Sequence, residues 1–141
     1  MEIRKCQKDD VEAVYNLICE LENKSMEYDK FCKAFNSKIE NPCNYFLVAV
    51  EESIIEFISV VINYQLHHEN KVATIEELIV GSNNRNKGLG KELLNTAIQC
   101  AKENECEVIE LTSSMSRVDA HRFYERNNFT KGSYKFKMSL S

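Results

Sequence analysis

At 141 residues the chain is long enough for one domain with a sizeable core and too short for two. Its 43% apolar and 28% charged content is ordinary for a globular protein, and a net charge of −4 argues against nucleic acid as the main partner, because phosphate backbones demand a basic surface. No apolar run reaches the length of a membrane span and the polar start MEIRKCQKDD is no secretory leader, so the expectation is a cytoplasmic protein without membrane attachment.

Glu2–Cys6 reads as a short first strand. Asp9 and Asp10 offer caps to a helix whose apolar positions Val11, Val14, Leu17, Ile18 and Leu21 recur at helical spacing. A second helix is predicted over Glu27–Ile39, ending before the single proline, Pro42. From Asn44 the pattern turns β-rich: NYFLVAV, then SIIEFISVVI after Glu51-Glu52, then VATIEELIV after the turn HHEN. These three runs read as an antiparallel meander, and the near-continuous apolarity of the first two marks central strands covered on both faces.

GSNNRNKGLG then leads into a helix with Leu89, Leu93, Leu94, Ala97, Ile98 and Ala101 along one side. EVIEL (Glu107–Leu111) is a strand, RVDAHRFYERNN a helix with Ser116 as a candidate cap, and FTKGSYKFKMSL two short strands around Gly132. The order β-α-α-β-β-β-α-β-α-β-β describes a single α+β domain over residues 1–141, a central mixed sheet with helices on both faces. Six cysteines (Cys6, Cys19, Cys32, Cys43, Cys100, Cys106) form neither CxxC nor a cysteine–histidine zinc spacing, and read as reduced, mostly buried thiols.

Two of the four glycines, Gly88 and Gly90, sit just before the third helix, flanked by Arg85, Lys87 and Lys91. A strand that passes through a glycine-rich loop into a helix is a recurrent anion site, because the first helical N–H groups lack partners and the helix dipole favours negative charge. A P-loop ending at Gly90-Lys91 would need glycine at position 85 and Ser or Thr at 92, where the chain has Arg85 and Glu92. A dinucleotide fingerprint starting at Gly88 would need glycine where Leu93 stands. The remaining R-x-x-G-x-G is weak alone and equally fits a helix that begins after a glycine-rich turn.

LIVGSNNRNKGLGKELL resembles the acetyl-CoA signature of the GNAT N-acetyltransferase superfamily, R/Q-x-x-G-x-G/A after the fourth strand. AHRFYERNNF resembles the same superfamily's A-x-x-F-Y-x-x-x-G-F segment. Two motifs at the right separation, with the element order of the whole chain, are far more specific than either alone. AVYNLICELE, QLHHENKVATIEELIV and RVDAHRFYERNNF narrow the resemblance to bacterial aminoalkylphosphonate N-acetyltransferases, from about Val11 to the C-terminus. Two positions depart from the pattern: Ser82 replaces a frequent proline, and Asn128 a usual glycine, asparagine being among the residues that best tolerate positive φ.

The resemblance implies a transferase, an acyltransferase moving acetyl from acetyl-CoA to a small-molecule primary amine by direct attack. It assigns Leu78, Ile79, Val80, Arg85, Asn86, Lys87, Gly88, Leu89, Gly90 and Lys91 to the CoA. It leaves open a homodimer through the C-terminal strands, and a divalent metal for which the chain has no clear ligand set. Other acceptors stay open as well: a polyamine, an aminoglycoside, an amino sugar or a protein N-terminus. So does a non-catalytic acyl-CoA-binding regulatory module.

An alkylamine near ~10.4 is almost wholly protonated at neutral pH, and only the free base attacks a thioester, so a carboxylate must take the proton. Glu76 and Glu77 fall in the fourth strand, and as neighbours they are expected on opposite faces. Glu77 is preferred as the base, and exposed edge positions are the alternative for both. Tyr124 stands where the superfamily places its general acid, and it also suits a core position on the last helix. Arg117 and His121 are candidates for an anionic substrate head, and more weakly His67 and His68 for such a head or a divalent metal. A solvated helix face and an ordinary polar hairpin are their plainer readings.

Overall fold

The computed structural model describes residues 1–81 and 89–141, and Leu89 only in its backbone. The assignments to Arg85, Asn86, Lys87 and Gly88, the side chain of Leu89, and the departure at Ser82 lie outside the described residues.

Five strands form one sheet in the order β1 (Glu2–Lys5), β2 (Asn44–Glu51), β3 (Ser53–Gln65), β4 (Asn70–Val80) and β5 (Val108–Leu111). The first four pair antiparallel and β5 joins β4 in parallel. A parallel neighbour requires a crossover, which α3 (Leu89–Glu103) supplies. The other helices are α1 (Val11–Glu22), α2 (Tyr28–Ile39) and α4 (Val118–Arg126).

Side chains alternate across a strand, so β3 feeds two cores. Phe57 joins Val14, Leu17, Phe35, Phe46 and Ile79 under α1 and α2. Ile58, Val60 and Ile62 meet Leu93, Leu94 and Ala97 of α3 on the other face, where Phe123 of α4 also packs. The helices therefore cover both faces, as the sequence reading expects. The Glu51-Glu52 hairpin turns with Glu52 at φ 65°, and Asn128 adopts φ 73°, the conformation its substitution for glycine requires.

Several local expectations are corrected. Asp10 holds the N-cap position of α1 but its side chain makes no capping bond into that helix; its carboxylate accepts from the Gln7 N–H at 2.7 Å and from both Arg4 terminal nitrogens at 2.8 and 3.0 Å. Ser116 is not the cap of α4, whose N-cap position falls at Arg117. Residues 130–141 form no strand, because among the described residues no ladder receives them. Of the cysteines only Cys6 is buried, Cys43 is exposed and the other four are intermediate. Burial pushes the Cys6 thiol up to about 12, which leaves it unreactive. Among the described residues no helix is long and apolar enough to cross a membrane.

Candidate active site

β4 and β5 part company halfway. Their register ends at Ile75 opposite Leu111, while β4 stays paired with β3 as far as Val80. From Glu76 to Val80 the strand therefore has a described neighbour on one side only. The Gly81 N–H donates to the Ile55 carbonyl at 2.8 Å, across β3. Peptide groups alternate sides along a strand, so that of Leu78 turns away from β3 toward the opened side.

A cleft of about 1320 Å³ lies beside this edge, with Leu78, Ile79 and Val80 of β4 facing Gly90 and Lys91 of α3, and Arg117, Phe123 and Tyr124 closing it from around α4. Gly90 earns its place by close packing, since a Cβ there would stand 3.3 Å from Val80 Cγ2 and 3.5 Å from Phe123 Cζ. The start of α3 is thereby drawn tight against β4, and its first N–H groups, which have no partner within the helix, lie beside the cleft. These features fit a long, phosphate-bearing thioester: an open strand edge for its amide arm and a helix start for its anionic end.

The two glutamates depart from expectation. Glu77 is paired with Ser59 and Ile75 with Val60, so Glu76 is an extra residue, a β-bulge. The bulge breaks strict alternation and turns both carboxylates to the α1/α2 face. Glu76 accepts from Lys38 Nζ at the end of α2, and Glu77 accepts from the hydroxyl of Ser59, a face-mate of Phe57. Opposite faces are therefore not what neighbouring positions produce here. Glu77 is half-buried and directly precedes Leu78 of the cleft wall, without lining the cleft itself. Burial raises its carboxyl above the usual range; the Ser59 hydrogen bond lowers it, Glu76 raises it and Lys38 lowers it.

Tyr124 is half-buried in the cleft wall, and burial pushes its hydroxyl up against a lowering from Arg117, so the two side chains share one neighbourhood. Arg117 is exposed. His121 Nε2 sits 2.8 Å from the Ser114 carbonyl and is committed to the loop before α4. His67 and His68 are not brought to the site. They occupy the β3–β4 turn, where His68 Nδ1 lies 3.0 Å from Glu107 Oε2. Asn70 to Glu77 is seven steps of ~3.3 Å, so roughly 20 Å separates that turn from the bulge. Among the described residues no group of three or more His, Cys, Asp or Glu is gathered to hold a metal.

Sequence reasoning missed Ser59 and Lys38. Ser59 left one trace, a hydroxyl inside the largely apolar run that follows Ser53, IIEFISVVI. Lys38 left none, since its partner is 38 residues away.

The model described as the Acetyltransferase (GNAT) family matches residues 9–129. An aminoalkylphosphonate N-acetyltransferase of Salmonella typhimurium strain LT2 is 31% identical over 140 residues, which covers 99% of this chain and 91% of that protein. Among solved structures, a protein of Bacillus halodurans C-125 described as a transcriptional regulator superposes with a TM-score of 0.90 at 28% identity, covering 99% of both chains. Glucosamine-6-phosphate N-acetyltransferase of Arabidopsis thaliana reaches 0.83 at 23% identity, over 99% of this chain and 98% of its own, and so shares the fold.

Proposed function

The chain belongs to the GNAT family of acetyltransferases and is an acyltransferase, and on that premise we propose that it carries acetyl from acetyl-CoA to a small primary amine, with an aminoalkylphosphonate as the favoured acceptor. The observation that carries this reading is the cleft between β4 and α4 along the stretch of β4 that β5 leaves, with the half-buried Glu77, beside the bulge at Glu76, directly preceding its wall residue Leu78. The acceptor choice is supported by the name of the Salmonella relative, which matches almost end to end.

Acetyl-CoA would supply the activated thioester. Leu78, Ile79 and Val80 would hold its extended arm along the open edge, and Gly90 and Lys91 the start of its phosphate end. Glu77, its pKa raised by burial toward that of an ammonium, is a better proton acceptor than an exposed carboxylate. The Leu78 N–H, turned away from β3, is placed to donate to an oxygen that gains charge. Tyr124 holds its proton firmly because it is buried, as a donor to a departing thiolate must at neutral pH. Arg117, exposed at the mouth of the cleft, is suited to bidentate contact with a phosphonate.

The test is CoA release from acetyl-CoA against aminoalkylphosphonates, polyamines, aminoglycosides, amino sugars and short peptides. Turnover confined to the phosphonates supports the narrow acceptor. Turnover of another class discards the phosphonate and keeps the chemistry. CoA binding without turnover of any amine counts against both.

The reading extends to a homodimer. Tyr134, Phe136, Met138 and Leu140 alternate with polar residues and are 88, 92, 82 and 94% exposed, and the outer edge of β5 has no described strand beside it. Four bare apolar side chains at strand spacing call for a cover, and a second copy offers the same open edge in return. Light scattering should give a dimer for the full chain and a monomer after truncation at Thr130; a monomeric full chain would reject the arrangement.

A further inference from the structure

We propose that Ser59 is a positioning residue for Glu77: its one hydroxyl grips the glutamate at both main chain and carboxylate and so fixes where the proton-accepting oxygen lies. The inference rests on the reading of Glu77 as the group that takes the proton from the amine.

Ser59 is wholly buried on β3 and is the register partner of Glu77. The Glu77 N–H donates to Ser59 Oγ at 3.0 Å, and the hydroxyl proton is donated in turn to Glu77 Oε1. In a regular ladder that N–H would seek a main-chain carbonyl of β3. The extra residue at Glu76 puts the strands out of step there, and the serine oxygen takes the N–H instead. A hydroxyl can donate once and accept twice, so one small side chain closes a ring between the peptide of Glu77 and its own carboxylate. The rotamer of Glu77 is thereby restrained from both ends.

The ring also divides the labour of the two carboxylate oxygens. Oε1 is committed to Ser59, while Oε2 has no hydrogen-bond partner among the described residues and is left for the incoming proton. The charged groups that face Glu77 are Glu76 on its own strand and Lys38 from α2; α1 contributes the apolar Leu21 to the adjoining cleft. A hydrogen bond donated to the ionised form favours that form, so Ser59 offsets part of the cost of burying Glu77. Only a side-chain hydroxyl supplies both roles in this space: alanine has none, and valine would leave a buried N–H unpaired.

The experiment is a ¹³C NMR titration of protein labelled at the glutamate carboxyl carbons, with the Glu77 signal assigned by its loss in Glu77→Gln. In Ser59→Ala the Glu77 midpoint should rise by about one pH unit. The low-pH limb of kcat/KM for aminomethylphosphonate should move with it, kcat should fall about tenfold or more, and the acetyl-CoA Kd from calorimetry should stay unchanged. Ser59→Thr, which keeps the hydroxyl, should restore the midpoint. Ser59→Cys, close in size and a weak donor, reads the same shift if the alanine variant does not fold. An unmoved midpoint overturns the proposal without any acceptor being turned over. If Glu77→Gln loses turnover and the Ser59→Ala pH profile superimposes on the wild type, only the role of Ser59 falls. If Glu77→Gln acetylates amines at the wild-type rate, the reading of Glu77 as base falls and takes the role of Ser59 with it.

Discussion

Glu77 and Glu56 are carboxylates on neighbouring strands, withdrawn from water on opposite faces of one sheet, and they are treated in opposite ways. Glu77, on the α1/α2 face, has a serine hydroxyl, a lysine within electrostatic reach and a cleft beside it. Glu56 is paired in register with Ala49 and Val80 on the α3 face, is wholly buried, and neither of its oxygens has a hydrogen-bond partner among the described residues. The charge it senses, Glu92 in the first turn of α3, repels it. Burial first and Glu92 second raise its carboxyl to about 7. A buried carboxylate that is served by donors stays ready to ionise and can do chemistry, whereas one left unserved resists ionising and costs stability once it does.

The comparison breaks first at Glu77. Glu77→Gln should lower kcat/KM by about 10²–10⁴ while the melting temperature stays level or rises, because the desolvation cost of the carboxylate is removed. Steady-state kinetics beside thermal melts decide it, and a variant that loses stability and keeps activity would make Glu77 a structural residue.

Glu56→Gln should behave the other way, changing stability rather than rate. The folded carboxyl titrates near 7 and the ordinary value is 4.5, so the folded state holds the proton more tightly between those values. Wild-type stability should then fall as pH rises from about 4.5 to about 7 and level off above, since the unfolded chain releases the proton first. The variant has no such slope. Urea midpoints at pH 5 and pH 8 should show its relative stability growing by roughly 2–3 kcal/mol across the interval; an equal difference at both pH values would mean that Glu56 has a partner in solution.

The smallest effect belongs to Lys38→Ala. Its ion pair with Glu76 is partly exposed, and such pairs contribute about 0–1 kcal/mol. The Glu77 midpoint should rise by only a few tenths of a pH unit, and a shift as large as that of Ser59→Ala would make the lysine the main support of the site.

Much of the scaffold was legible because its causes are local. The helical spacing of Val14 and Leu17, the β-rich runs from Asn44 to Val80 and the apolar side of α3 at Leu93, Leu94 and Ala97 each declare themselves within a few residues. Asn128 was read as able to hold a left-handed turn, and it does so at φ 73°. The histidines of the β3–β4 turn misled, because closeness in sequence to the fourth strand hid their distance from its far end.

The sequence by itself determined the family, the order of the elements as far as α4, and the short list that contained Glu77 and Tyr124, because periodicity and motif spacing are properties of contiguous residues. Only the tertiary structure decided that Glu76 is the extra residue of a bulge, that Glu76 and Glu77 share a face, and that Ser59 rather than a main-chain carbonyl receives the Glu77 N–H. Those outcomes depend on the register between strands 18 residues apart at Ser59 and Glu77, and on a helix end at Lys38 packed over them. Register is settled by filling two cores at once, a condition that no single stretch of sequence contains.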